Sequence, residues 1–95
     1  MFLQVDIEEW AEEKGIYEDA NLEAQLKGIA EEVVEVAMAE TLNDKEKELG
    51  DIYIWWINAC KVADINPHTA VRVAFEKVTK RTGTMVNGRF VKDDE

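Results

Sequence analysis

Residues 48–57 read Glu-Leu-Gly-Asp-Ile-Tyr-Ile-Trp-Trp-Ile, and this stretch decides how the chain must fold. Its apolar run, residues 52–57, is compatible with a buried strand or a buried helix. The flanking residues contain no turn former except Gly50, so a strand would lack its boundaries and a helix is favoured. A helix that is apolar on nearly every side must be covered on nearly every side, and three short partners in one chain do this poorly. The stretch therefore predicts a helical bundle that another copy of the chain completes.

Helical spacing and capping residues predict four helices along the chain. They run from a capping box at Asp6 and Glu9 to Gly15, from Asn21 to Leu42, from Lys45 to Ala63, and from Asn66 to Arg81. Asn43-Asp44 is expected to break the second helix and to cap the third. Residues 85–91 carry an Asn-Gly hairpin signal between short apolar runs. We predict one all-α domain, residues 1–95, with a short C-terminal hairpin or tail.

Composition and charge narrow the class of protein. The 95 residues carry a formal net charge of −10, which argues against direct binding to nucleic acid or to an anionic membrane. The single cysteine, Cys60, can form no disulfide within the chain and is expected to be a small core residue. No signal peptide and no apolar run of about eighteen residues is visible, which predicts a cytoplasmic protein. An acidic protein can still hold a phosphorylated small molecule if bound metal reverses the local charge.

Two pairs of carboxylates have helical spacing on the second and third helices. Glu32 and Glu35 are three residues apart, as are Glu48 and Asp51, so each pair projects from one helix face. Apolar residues follow both pairs, which argues against full exposure to solvent. Four like charges between two packed helices would repel one another unless a cation lay among them. Oxygen ligands suit a hard divalent ion, so we predict a site for Mg²⁺, with Mn²⁺ second.

Small residues lie beside both acidic pairs. Gly28 and Ala39 extend the column of the first pair, which leaves room for an ion and a bulky ligand. Gly50 lies beside the second pair and costs about 1 kcal/mol relative to alanine in a helix interior, so we expect another helix to approach closely there. Either acidic pair alone is typical of a solvated helix face. Both together, within apolar stripes, indicate a metal site.

Several other candidate ligand-binding residues have structural alternatives. Trp55 continues the second column and is expected in the core, although a base could also stack on it. Asn58 is either a buried, hydrogen-bonded amide or a substrate contact. Lys77 and Arg81 lie near the end of the fourth helix, where they could complement the helix dipole or hold phosphate oxygens.

The acidic motifs resemble the signature of the all-α nucleoside triphosphate pyrophosphohydrolases, the MazG-like group, which is related to dimeric dUTPases. The resemblance rests on Glu31-Glu32-x-x-Glu35 followed by Glu48-x-x-Asp51. It extends over nearly the whole chain, and residues 81–92 are similar to the ending of short MazG-like proteins from bacteria and phages. Lys61 departs from the pattern, because many relatives have Asn there.

The resemblance implies a four-helix-bundle-like fold, completed by a homodimer or homotetramer. It also implies Mg²⁺-dependent hydrolysis of a nucleoside triphosphate, with ribose or deoxyribose, to the monophosphate and pyrophosphate, as in nucleotide pool cleaning. The implied metal ligands are Glu32, Glu35, Glu48 and Asp51. Either of the first two would orient or deprotonate the attacking water. Glu31 would be a further ligand or a supporting carboxylate.

The resemblance also assigns substrate contacts. Lys77 and Arg81 match a basic pair on the last helix that would engage phosphates. Beyond the resemblance, we consider Arg89 or Lys92 of the C-terminal tail as further candidates. Trp55 and Asn58 complete the predicted substrate-binding set.

Two alternatives from other functional classes stay open. One is a non-catalytic acidic helical adaptor that dimerises and binds a basic partner protein. It predicts no effect of magnesium on stability and no nucleotide turnover. The other is a structural or buffering cation binder, which is weaker because no segment matches the Asp-x-Asp-x-Asp-Gly loop of an EF-hand.

Overall fold

A computed structural model describes residues 3–93, which form four α-helices followed by a two-stranded antiparallel hairpin. The elements are α1 (Leu3–Glu13), α2 (Leu22–Met38), α3 (Leu42–Val62), α4 (Pro67–Val78), β1 (Gly83–Val86) and β2 (Arg89–Lys92). The mostly helical class and the short hairpin are therefore confirmed. The predicted domain spans residues 1–95, so its first two and last two residues lie outside the described range.

Side-chain caps explain where α2 and α4 begin. The Asn21 side chain accepts a hydrogen bond from the backbone N–H of Ala24 at 2.8 Å. The Asn66 side chain accepts one from Thr69 at 3.2 Å, and Pro67 follows in the first turn of α4. Both caps satisfy N–H groups that a helix start leaves without partners, so the predicted starts of these two helices are confirmed.

Left-handed residues end α1 and α3. Gly15, two residues after the end of α1, has a φ of 73°, as expected for a left-handed cap. Asp64 has a φ of 58° after α3, and the following N–H, of Ile65, donates to the carbonyl of Cys60 at 2.8 Å. This bond satisfies a carbonyl that would otherwise lack a partner at the helix end. An aspartate tolerates this conformation better than most residues other than glycine.

The predicted break between the second and third helices is wrong by several residues. Helix α2 ends at Met38 instead of Leu42, and α3 begins at Leu42 instead of Lys45. The Thr41 side chain caps α3 by accepting from the Asp44 N–H at 3.1 Å. Asn43-Asp44 therefore lies in the first turn of α3, because the threonine hydroxyl already supplies the cap.

Two other predicted boundaries are also wrong. Asp6 does not cap α1, because the chain is already helical at Leu3. Helix α4 ends at Val78 instead of Arg81, and the Thr79 hydroxyl donates to the Glu76 carbonyl at 3.1 Å. A side-chain bond of this kind competes with continuation of the helical backbone pattern.

Helix α3 is the centre of the molecule, because α1, α2 and α4 each contact it. Residues 57–60 of α3 are buried, including Cys60, whose predicted core position is confirmed. Helices α2 and α3 make the most extensive contact, and their short connection makes them antiparallel neighbours. At this contact the Trp55 ring lies against Gly28. A Cβ added to Gly28 would lie 2.5 Å from ring atoms of Trp55.

Large apolar surfaces remain uncovered in the single chain. Its accessible surface is 7620 Å², whereas a folded monomer of 10.9 kDa is expected to expose about 5,600 Å². Its radius of gyration is 15.9 Å, compared with about 12 Å for a compact domain of this length. Helix α4 contributes strongly to the exposed apolar surface, since Val71, Val73 and Phe75 are all more than half exposed.

The hairpin is well formed around a left-handed Asn87-Gly88 turn, as predicted, but its strands pair only with each other among the described elements.

Gly50 does not mark a close helix approach within this chain. Apart from the neighbouring backbone of its own helix, no atom of the described residues lies within 4 Å of the position that a Cβ would take there, so that prediction is wrong for contacts among the described residues of one chain. The close approach occurs at Gly28 instead, where the bulky partner is an indole ring.

Replacing each of these helical glycines with alanine tests the packing. We expect Gly28→Ala to lower the free energy of unfolding by about 1–3 kcal/mol, because the added methyl displaces Trp55. Gly50→Ala should raise it by up to about 1 kcal/mol, because helix propensity improves without a clash. Urea unfolding followed by circular dichroism measures both. A Gly28→Ala variant as stable as wild type would contradict the described contact, and a loss at Gly50→Ala would place another chain against that site.

Candidate metal centre

The four predicted carboxylates lie on facing sides of α2 and α3. The Trp55–Gly28 contact sets the register of the two helices. Glu32 lies one helical turn from Gly28 towards the α2–α3 connection, and Asp51 lies one turn from Trp55 in the same direction. Both acidic pairs therefore reach the same level of the helical hairpin. We call Glu32, Glu35, Glu48 and Asp51 the carboxylate cluster.

The members of the carboxylate cluster are in close contact. Glu32, Glu48 and Asp51 each place one carboxylate oxygen within 4.8 Å of the others, and all three are partly buried. Glu35 is more exposed, but it is within hydrogen-bonding contact of both Glu32 and Glu48. Glu31 is also exposed, and it does not belong to the group of three. Helical spacing predicted convergence for all four positions; the structure groups Glu32, Glu48 and Asp51, and Glu35 interacts with the first two of them.

Mutual repulsion and shared protons dominate the electrostatics of the cluster. A hydrogen bond with Glu32 is the largest cause that raises the pKa of Glu48 above its ordinary value. A hydrogen bond with Glu48 is the largest cause that raises the pKa of Glu35. Every charged group that contributes to these two shifts is another carboxylate. The cluster therefore favours binding of positive charge, whether as protons or as a cation.

Two oxygen atoms of the cluster lack any partner. Glu32 Oε2 and Glu48 Oε2 are buried and form no hydrogen bond among the described residues. A buried carboxylate oxygen without a partner is costly. A hard divalent cation would satisfy both atoms at once, and carboxylate oxygens are the ligands that Mg²⁺ and Mn²⁺ prefer. The donor set thus fits the predicted metal.

Asn58 is engaged by the chain itself. It is buried, and the Tyr17 hydroxyl donates a hydrogen bond to Asn58 Oδ1 at 2.6 Å. Burial, followed by the nearby charges of Glu8 and Glu12, raises the pKa of Tyr17, which keeps the hydroxyl protonated as a donor. Of the two alternatives for Asn58, the structure contains the hydrogen-bonded amide. Its contact with a substrate stays a prediction.

Two polar residues near the α2–α3 contact were missed as site candidates. Gln25 is buried, and its Oε1 atom has no hydrogen-bond partner in the described part of the chain. Gln25 lies three residues before Gly28 and therefore on the same helix face, so helical spacing could have identified it as a site candidate. Tyr17 lies in the segment between α1 and α2, where no periodic pattern could have predicted its bond to Asn58.

The predicted phosphate-binding residues lie apart from the cluster. Arg81 lines a cleft of about 750 Å³ between the end of α4 and the hairpin. We call this space the hairpin cleft; its lining residues are Val78, Arg81, Arg89, Phe90, Val91 and Lys92. No member of the carboxylate cluster lines it. Lys77 is exposed on α4, and neither predicted cation is among the charged groups that shift the pKa of Glu35 or Glu48.

Comparisons with protein-family models, with curated proteins and with solved structures find no match to this chain. The MazG-like resemblance therefore depends on the sequence motifs alone. In the described part of the chain, no helix has the combined length and apolarity that crossing a membrane requires.

The raised pKa values of Glu35 and Glu48 predict how stability depends on pH without metal. Protonation of these groups stabilises the folded state. That contribution is complete below the ordinary carboxyl pKa of 4.5 and is lost as pH rises through the raised values. We therefore expect the free energy of unfolding in EDTA to fall as pH rises from about 4.5 towards 7.

The Glu35→Gln/Glu48→Gln variant should show a clearly smaller fall. Glu13→Gln/Glu40→Gln is the matched control, because it removes two exposed charges outside the cluster. Urea unfolding at one protein concentration over this pH range supplies the comparison. Equal pH dependence in the two double variants would show that general charge repulsion, and not the cluster, causes the effect.

Proposed function

We propose that this protein hydrolyses a nucleoside triphosphate, with ribose or deoxyribose, to the monophosphate and pyrophosphate, and that the reaction requires Mg²⁺. The observation that carries the proposal is the close grouping of Glu32, Glu48 and Asp51, with Glu35 interacting with two of them and with two buried oxygens that have no partner among the described residues. Such an arrangement lowers the stability of the fold when it is empty, but it is well suited to holding a divalent cation. The MazG-like motif resemblance supplies the reaction type.

The residues of the cluster divide naturally between two roles. Glu32, Glu48 and Asp51 are partly buried and close together, which suits metal ligands. Glu35 is more exposed and adjoins two of them, which suits a group that orients or deprotonates the attacking water. A bound Mg²⁺ would neutralise phosphate charge and acidify a coordinated water. Because the charge of the cluster is thereby reversed, the acidic composition of the chain is compatible with an anionic substrate.

Trp55 is the best-placed apolar contact for a substrate base. It lies one helical turn from Asp51 and is only partly buried. Its ring rests against Gly28, so its orientation is constrained before a ligand arrives. Stacking on a fixed aromatic ring would bind a base with a small loss of side-chain freedom.

We also propose that the active form is a homodimer or a homotetramer in the cytoplasm. The exposed apolar side chains of α4 and the large surface of the single chain support this assembly. An obligate oligomer would bury these surfaces as a domain core does.

The second candidate function is a non-catalytic adaptor. The same exposed apolar surface favours it, because contiguous apolar patches also bind other proteins. It leaves the convergence of the carboxylates unexplained. It predicts neither nucleotide turnover nor a magnesium effect on stability.

The test is turnover of the common ribo- and deoxynucleoside triphosphates with Mg²⁺, with the products separated. We expect monophosphate plus pyrophosphate, and a loss of about 10²- to 10⁴-fold for Glu35→Gln if it acts on the water. Asp51→Asn should lose most activity, whereas the exposed control Glu13→Gln should keep it. Diphosphate plus phosphate as products, or full activity in both cluster variants, would contradict the proposal.

A further inference from the structure

Charge is divided unevenly along the chain. Of the eleven lysines and arginines, six lie in residues 72–92, where Glu76 is the single acidic residue. Of the 21 aspartates and glutamates, 17 precede residue 72. The protein thus consists of an acidic helical body, residues 3–71, followed by a basic segment, residues 72–92.

The basic segment contains a cleft of the right size and chemistry for a phosphate chain. The hairpin cleft, of about 750 Å³, falls within the range of small-molecule sites. Arg81 approaches from the end of α4 and Arg89 from β2, so two arginines border one space. Arginine is well suited to phosphate because its planar group can donate two parallel hydrogen bonds.

The basic segment has little support from its own chain. Helix α4 contacts α3 alone among the described elements, and the hairpin backbone approaches none of the helices described. An isolated two-stranded hairpin is at best marginally stable in water. Met85 and Phe90 nevertheless expose about half or more of their surface. Residues 3–93 leave these side chains exposed, so a covering surface for them would have to come from elsewhere.

Positively charged side chains are plentiful in the basic segment, whereas the groups that act on the carboxylate cluster are acidic. The charged groups that shift the pKa of Glu35 and Glu48 are all acidic. Lys45 of α3 instead donates a hydrogen bond from its Nζ to the Val36 carbonyl at 3.1 Å. Enzymes that cleave phosphoanhydrides combine metal ions with lysine or arginine to neutralise the phosphates. In one chain, no member of the carboxylate cluster lines the hairpin cleft that Arg81 and Arg89 border.

We propose that the hairpin cleft of one chain lies over the carboxylate cluster of a second copy, so that each nucleotide site is built from two chains. This inference rests on the proposed function and identifies the partner that completes its site. Charge complementarity between the acidic body and the basic segment favours the pairing. The surface in excess of a compact monomer, about 2,000 Å² per chain, is sufficient for a stable interface between two copies.

Mixing two inactive variants tests the proposal. One chain carries Asp51→Asn and the other carries Arg81→Ala with Arg89→Ala. In a mixed two-fold dimer, the second chain supplies intact carboxylates and the first supplies intact arginines, which restores one site of two. After random pairing, turnover should recover to about a quarter of the wild-type value. A mixture as inactive as its components, beside an active wild type, would overturn the proposal.

A second measurement does not depend on activity. In a Cys60→Ala background, chains with Glu35→Cys are mixed with tagged chains carrying Arg89→Cys, and a short bismaleimide is added. We expect a covalent dimer of the two different chains, at several times the yield obtained with Glu13→Cys as the partner. Yields equal to that control, or crosslinks between Arg89→Cys chains alone, would overturn the inference. A specific crosslink in a protein that hydrolyses no nucleotide would reject the proposed reaction and retain the shared interface.

Discussion

The contact between Trp55 and Gly28 determines how the rest of the site is arranged. The ring occupies the space that any larger residue at position 28 would fill, so α2 and α3 can approach closely there. Because both helices are rigid, the positions one turn further along each helix are then brought to one level. Those positions carry Glu32 and Asp51, and the other two members of the carboxylate cluster lie about one turn beyond them. The packing contact is apolar, but its consequence is a concentration of negative charge.

That concentration opposes folding in the absence of a cation. Shared protons raise the pKa of Glu35 and Glu48, and two buried oxygens have no partner in the described structure. A sequence selected for stability alone would place an apolar or oppositely charged residue at some of these positions. A binding site tolerates the repulsion because the ligand removes it. The same reasoning applies to the exposed apolar side chains of α4, whose exposure is unfavourable in one chain and useful in an assembly.

Spacing alone predicted the helical class, the two carboxylate columns and the Asn-Gly hairpin, because all three depend on local periodicity or local turn chemistry. The start of α3 and the end of α4 were both predicted three residues too far along the chain, since the Thr41 and Thr79 hydroxyls make local bonds that weigh more than residue propensity. Gly50 was assigned the close helix approach that belongs to Gly28, because spacing does not tell which face a large side chain will cover. The Tyr17–Asn58 bond and the separation of Arg81 from the carboxylates depend on tertiary placement, which no local pattern contains.

Magnesium-dependent stability tests the central claim, that the carboxylate cluster exists to hold a divalent cation. Thermal unfolding of wild type and Asp51→Asn is compared in EDTA and in Mg²⁺, at one protein concentration. For wild type at ten times the dissociation constant, the account predicts a stabilisation of about 1.4 kcal/mol at 25 °C, seen as a higher melting temperature. Asp51→Asn should be at least as stable as wild type in EDTA, because one repelling charge is gone, and should gain much less from Mg²⁺. Equal magnesium effects on the two proteins, or none on either, would contradict the account.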